Sequence, residues 1–159
     1  MSGIASYLSL TLALLGYGVS TGSDALTLDA VTNVPLGTAV RLADISPFNA
    51  EAVCILVPYQ DRLESKYAFA ARVNDHLAKK GFRADEGHFA LVFIGSRSIE
   101  IATLSRRRID MLPMHMISPP AAQMLPEGFT PQSCANGEVA ALAKIEFRDR
   151  IYIVLGVVH

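Results

Sequence analysis

Apolar positions along the chain fall into a few short continuous runs and one longer segment with helical spacing. Ala52 to Val57 (AVCILV) is uninterrupted and stops at Pro58. A short apolar run ended by a turn residue predicts a strand buried on both faces. Leu63, Tyr67, Ala70, Ala71 and Leu77 then recur at helical intervals. This predicts a helix over 62–80, opened by Asp61 and closed by Lys79, Lys80 and Gly81. The cations suit the negative end of the helix dipole, and glycine suits the left-handed closing residue.

His88 to Ile94 (HFALVFI) predicts a second buried strand. A tight turn at Gly95-Ser96-Arg97 leads into Ser98–Leu104, where Ile99, Ile101 and Thr103 alternate with Glu100 and Ala102. That pattern predicts a hairpin. Glu138–Phe147 and Ile151–Val158 flank Arg148-Asp149-Arg150 and predict another. Its core face is expected to hold Val139, Ala141, Ala143, Ile145 and Phe147, with Lys144 and Glu146 facing outward. One or two short strands, at Leu26–Val31 and Thr38–Leu42, are expected in the broken stretch that precedes Ala52. Runs of strands with one main helix predict an α+β fold: a single mostly antiparallel sheet covered by that helix, a two-layer sandwich.

The stretch 111–137 fits none of these periods. It carries five of the eight prolines, four of the five methionines and no Lys or Arg. A long irregular connection in a small domain is commonly a functional one. Met114, Met116 and Phe129 are its candidate contacts with a partner protein, because uncharged apolar loops mark interaction surfaces, and folding back onto the sheet is the equal alternative. The run Met114-His115-Met116 is also a candidate set of soft ligands for copper.

Composition narrows the reading. At 159 residues and 51% apolar the chain can bury one core, and 18% charged residues is too few for a disordered chain. Fourteen basic and fifteen acidic side chains, spread along the chain, exclude the basic excess that nucleic-acid binding requires. Arg106-Arg107-Arg108 is the only cluster and reads as a solvated strand end.

Ile4 to Val19 is apolar and uncharged, and Gly18, Ser20, Gly22 and Ser23 follow. This pattern predicts a signal peptide over 1–20 and a single domain over 21–159. At 16 residues the run is short for a membrane span, so membrane association is expected only if it stays uncleaved. The n-region holds neither Lys nor Arg, and a buried element of the fold is the alternative. Export to the periplasm or to the medium would allow Cys54 and Cys134 to form one disulfide.

Motifs for phosphate loops, dinucleotide turns, nucleophile elbows and zinc are absent, and no cofactor is indicated. Cys54 lies inside an apolar strand, which opposes the thiolate form that a Cys54–His76 pair would need. The sequence therefore predicts an exported, non-enzymatic module that binds another protein, as inhibitor and immunity proteins do. The alternatives are a copper-binding protein using the Met/His run, and an enzyme assembling a site from distant residues such as His88, Asp85, Glu86 and Arg97.

Overall fold

The computed structural model describes residues 26–159. The expected signal segment, 1–20, lies outside the described residues. The fold is α+β and mostly antiparallel, but it contains two sheets rather than one.

The first sheet holds the expected central strands. β2 (Ala52–Leu56) lies between β3 (His88–Ile94) and β7 (Cys134–Asn136), and β4 (Ile99–Ser105) completes the order β4-β3-β2-β7. β2 and β3 are continuous apolar runs because both of their faces are covered. Val53, Ile55, Phe89, Leu91 and Phe93 point to the second sheet. Cys54, Leu56, Ala90, Val92 and Ile94 point to the helix.

The second sheet is built on the C-terminal hairpin, β8 (Ala140–Phe147) and β9 (Arg150–Val158). β1 (Ala39–Arg41) flanks β8. The other edge of β9 is shared by β5 (Asp110–Met111), parallel to it, and β6 (Phe129–Pro131), antiparallel. Arg148 and Asp149 both have positive φ, +52° and +57°, as the two central residues of a type I′ turn require.

The expected faces of this hairpin need correction. Ala140, Leu142, Ile153, Leu155 and Val157 face the first sheet. Ala141, Ala143, Ile145 and Val154 face the opposite way and are buried too. Lys144 is not outward: it is 9% exposed, and its Nζ donates to the Thr32 carbonyl at 2.6 Å. Val139 lies just before the strand and is exposed. Four layers result: the stretch between β5 and β6, the second sheet, the first sheet, and the main helix.

That helix, α3 (Ala70–Lys79), is ten residues long and begins eight residues later than expected. The cause is local. The Asn74 side chain accepts from the Leu63 amide at 2.7 Å and donates to the Leu63 carbonyl at 3.0 Å. Leu63 is thereby held as a turn packed on the helix and cannot be part of it. Asp61 pairs with Arg62 instead of capping. The C-terminal end matches expectation. Gly81 has φ +59°, its amide donates to Ala78, and the Phe82 amide donates to Leu77, the Schellman arrangement.

Leu26–Val31 is not a strand. α1 (Leu28–Thr32) forms there, and the Thr27 hydroxyl caps it by accepting from the Ala30 amide. A second short helix, α2 (Leu42–Ile45), follows β1.

Candidate functional site

The segment expected to be an irregular loop is a chain of short elements: β5 and β6 are edge strands of the second sheet, and Ile117, Ala121 and Leu125 between them pack on its outer face. It opens with β5, and the Leu112 amide donates to the Ile153 carbonyl at 2.9 Å. A 3₁₀ turn (Met114–Met116) follows, then α4 (Pro119–Ala122) and β6. The prolines explain its form. Pro119 and Pro120 occupy the first turn of α4, where no intrahelical amide donor is needed. Pro131 lies on a strand at the sheet's edge, opposite Gly156. Elements of three and four residues carry too few repeats to show a period, which is why the sequence reads as loop.

Inward-facing residues fix the segment. Leu112, Ala121 and Phe129 are buried against Ala141, Ala143 and Val154. Phe129, expected as a partner contact, is 8% exposed. Its ring fills the space that Gly156 leaves: a Cβ there would stand 2.6 Å from Phe129 Cζ. Phe129 is therefore taken into the core. Met114, Met116 and Met124 are 47%, 63% and 52% exposed, and they come from eleven residues of one segment. They are half of the large apolar side chains exposed among the described residues.

Met114, His115 and Met116 occupy one 3₁₀ turn. Three residues per turn set successive side chains about 120° apart, so these three leave the turn in different directions. Among the described residues no three His, Cys, Asp or Glu side chains gather as a metal site.

The disulfide is present. Cys54 and Cys134 lie directly opposite each other on β2 and β7, with Cα atoms 4.0 Å apart. The Ile55 amide donates to Ser133 on one side of this pair, which makes Cys54–Cys134 a pair without backbone bonds between them. Disulfides form and persist in oxidising compartments. Among the described residues no helix is long and apolar enough to cross a membrane.

The residues weighed for enzymatic chemistry do not converge. His88 and Asp85 form an exposed pair, Nδ1 to Oδ1 2.6 Å. The hydrogen bond with His88 holds the Asp85 carboxyl below the usual aspartate range, helped by the Gly87 amide and opposed by partial desolvation. Arg97 lies at the far end of the hairpin, about 20 Å away along a seven-residue strand. Cys54 is in the disulfide and is no nucleophile.

Among the described residues one carboxylate is buried, that of Asp110, 4% exposed. It accepts from Arg106 Nε at 2.5 Å and Nη2 at 2.8 Å, and from the Met111 amide at 2.8 Å. Arg150 Nη2 stands 3.1 Å away. Burial pushes its carboxyl up, and the two arginines with the Met111 amide together more than offset this, holding it below the usual range. Arg106 also donates to the Glu86 carbonyl. The cluster ties the end of β4 and the entry to β3 onto β5. The Asp110 carboxylate is enclosed and fully engaged with protein groups while both arginines reach solvent, so the cluster positions the start of the 112–131 segment.

Two clefts remain. One of about 410 Å³ opens beside Phe48, Val53 and Phe93 at the rim between the sheets. Glu138 is the sole ionisable residue on its wall, which is short of a convergent polar set. The other, of about 420 Å³, lies between the C-terminal half of α3 and the start of β4 and is strongly charged. No family model, curated protein or solved structure matches this chain.

Proposed function

We propose that this protein is an exported, non-enzymatic module that binds another protein through Met114, Met116 and Met124. The carrying observation is the contrast within one segment. Its inward side chains are core, while three unbranched thioether side chains stand in water. Methionine is flexible and polarizable and makes an adaptable apolar contact. The backbone that carries it is held by Leu112, Phe129 and five prolines, so little order remains to be imposed on binding.

The disulfide supports a periplasmic or secreted location. On this reading residues 1–20 are removed on export and 21–159 act as one domain.

The test is a triple substitution, Met114→Ser, Met116→Ser and Met124→Ser, compared with the natural protein in capture from the native compartment. The variant is expected to lose the protein that the natural chain retains, with a melting temperature within a few degrees of it. Retention of the same protein by both would refute the reading.

A further inference from the structure

A second surface lies on the free edge of β4, at the side of the first sheet. The Gly95 amide donates to Ser98, and the Arg106 amide donates to Gly87, both at 2.9 Å. These two bonds bracket the β3–β4 ladder, whose register pairs Ile94 with Ile99 and His88 with Ser105. Alternation then gives the even residues of β4 to β3. Ile99, Ile101, Thr103 and Ser105 direct their amides and carbonyls outward. No backbone partner meets them among the described residues. Seven residues is a long edge to leave open, and natural sheets usually cover or shorten such edges.

The ground beside this edge is shaped and charged. The 420 Å³ groove runs along the C-terminal half of α3 and continues into a further 250 Å³ space, sharing His76, Lys80, Ile99 and Glu100. Arg72 fixes one wall by donating to the Gly95 and Ser96 carbonyls, both at 2.8 Å. His76 Nε2 is buried there with no hydrogen-bond partner among the described residues. Four cations flank the edge without an ion-pair partner among the described residues: Lys80 and Arg97 at one end, Arg107 and Arg108 at the other. Lys79 is neutralised by Asp75, 2.7 Å away, and Glu100 borders the groove from the other face of β4.

We propose that the β4 edge and its basic groove take an extended acidic segment of another protein as an added strand. Backbone bonding to the four outward residues supplies the affinity, and the alternate side chains of the added strand supply the choice of partner. The charge pattern selects the occupant. In an antiparallel pair of two copies centred on Ala102, Arg97 of each would face Arg107 of the other, and like charges directly opposed destabilise a sheet. The chain's own residues 1–25 contain one acidic side chain, Asp24, and offer little to four free cations. A strand carrying Asp or Glu near both ends satisfies both sets.

The experiment uses the full chain and a capped decapeptide alternating glutamate with threonine or valine. Its control carries lysine at every glutamate. Binding is followed by fluorescence anisotropy, and the amides of 99, 101, 103 and 105 by hydrogen exchange. The glutamate peptide is expected to bind, to weaken as salt rises from about 50 to about 200 mM, and to slow exchange at those four amides. Thr103→Pro removes an outward amide without touching the ladder to β3, and proline is tolerated on such an edge. It should weaken binding at least about tenfold, the equivalent of one good hydrogen bond. If that variant fails to fold, Arg97→Glu with Arg107→Glu and Arg108→Glu makes the same test through charge. Failure of the natural chain to bind, or equal binding of the lysine peptide, overturns the proposal. So does self-association lost on Thr103→Pro, which would give the edge to a second copy. Protection of the four amides in the free monomer would give it to the chain's own N-terminal residues and also overturns the proposal.

Discussion

Removing the Asp110 carboxylate should unsettle the fold in a way that depends on pH. Asp110→Asn keeps the size of the side chain and removes its charge. The natural carboxylate accepts two bonds from Arg106 and one from the Met111 amide, and it neutralises Arg150 nearby. Breaking a fully buried ion pair costs about 3–5 kcal/mol. The Arg106 side chain is 29% exposed and Arg150 about half exposed, so both can recover water. The expected cost therefore sits below that range, at about 2–3 kcal/mol near neutral pH, or a fall of several degrees in melting temperature.

Because the folded carboxyl titrates below its unfolded value, its contribution is complete above the unfolded pKa of about 4. It is lost as pH falls through the folded value. Urea unfolding of both proteins from neutral pH to about pH 2.5 reads this directly. The gap between them should be constant above about pH 5 and should close on acidification. A gap below about 0.5 kcal/mol at neutral pH, or one unchanged in acid, would refute the electrostatic account. Adding Arg106→Met to each arm isolates the pair, since the coupling should carry most of the cost.

Four further outcomes follow from the packing. Gly156→Ala should cost about 2–3 kcal/mol in urea unfolding, because the new Cβ would stand 2.3 Å from the Thr130 carbonyl oxygen and 2.6 Å from Phe129. Phe129→Ala should cost about 3–5 kcal/mol by the same measurement, as a core phenylalanine does. Replacing both cysteines with alanine should lower stability by about 2–4 kcal/mol, and adding reductant to the natural protein should lower its urea midpoint in the same direction. Arg148→Asn with Asp149→Gly should raise the melting temperature slightly, by about 0.5–1 kcal/mol of stability, because both positions hold positive φ.

Legibility in the sequence followed burial and length. β2 and β3 were readable because both of their faces are covered, which leaves unbroken apolar runs bounded by Pro58 and Gly95. The end of α3 was readable because Gly81 closes it by a local mechanism. Its start was hidden, since a contact eleven residues away, from Asn74 to Leu63, overrides the helical spacing. The second sheet was hidden because β8 is buried on both faces, with Ala140 and Leu142 opposite to Ala141 and Ala143, and because Lys144 looks solvent-facing although its amine is satisfied by Thr32 far off in sequence.

Of the candidate contacts, Met114 and Met116 are where the sequence reading placed them, on the surface. Phe129 is core because it fills the space over Gly156, a complementarity that no local pattern shows. The edge of β4 gave no signal, because an open strand and a covered one alternate alike. Cys54 and Cys134 were legible as a pair by count, and their cross-strand opposition required the three-residue strand β7.

The position of that bridge also determines how the protein yields to a pull. Cys54 and Cys134 are 80 residues apart, and everything between them is a closed loop. A force applied at Leu26 and His159 reaches α1, β1 and the β8–β9 hairpin, but it cannot lengthen the loop between the cysteines. At about 3.4 Å per residue, roughly 270 Å of contour is withheld from extension while the bridge is intact. The loop holds α3, the β3–β4 hairpin and the methionine segment. Stretched oxidised chains would therefore part with their C-terminal hairpin while both candidate surfaces remain inside the tethered loop.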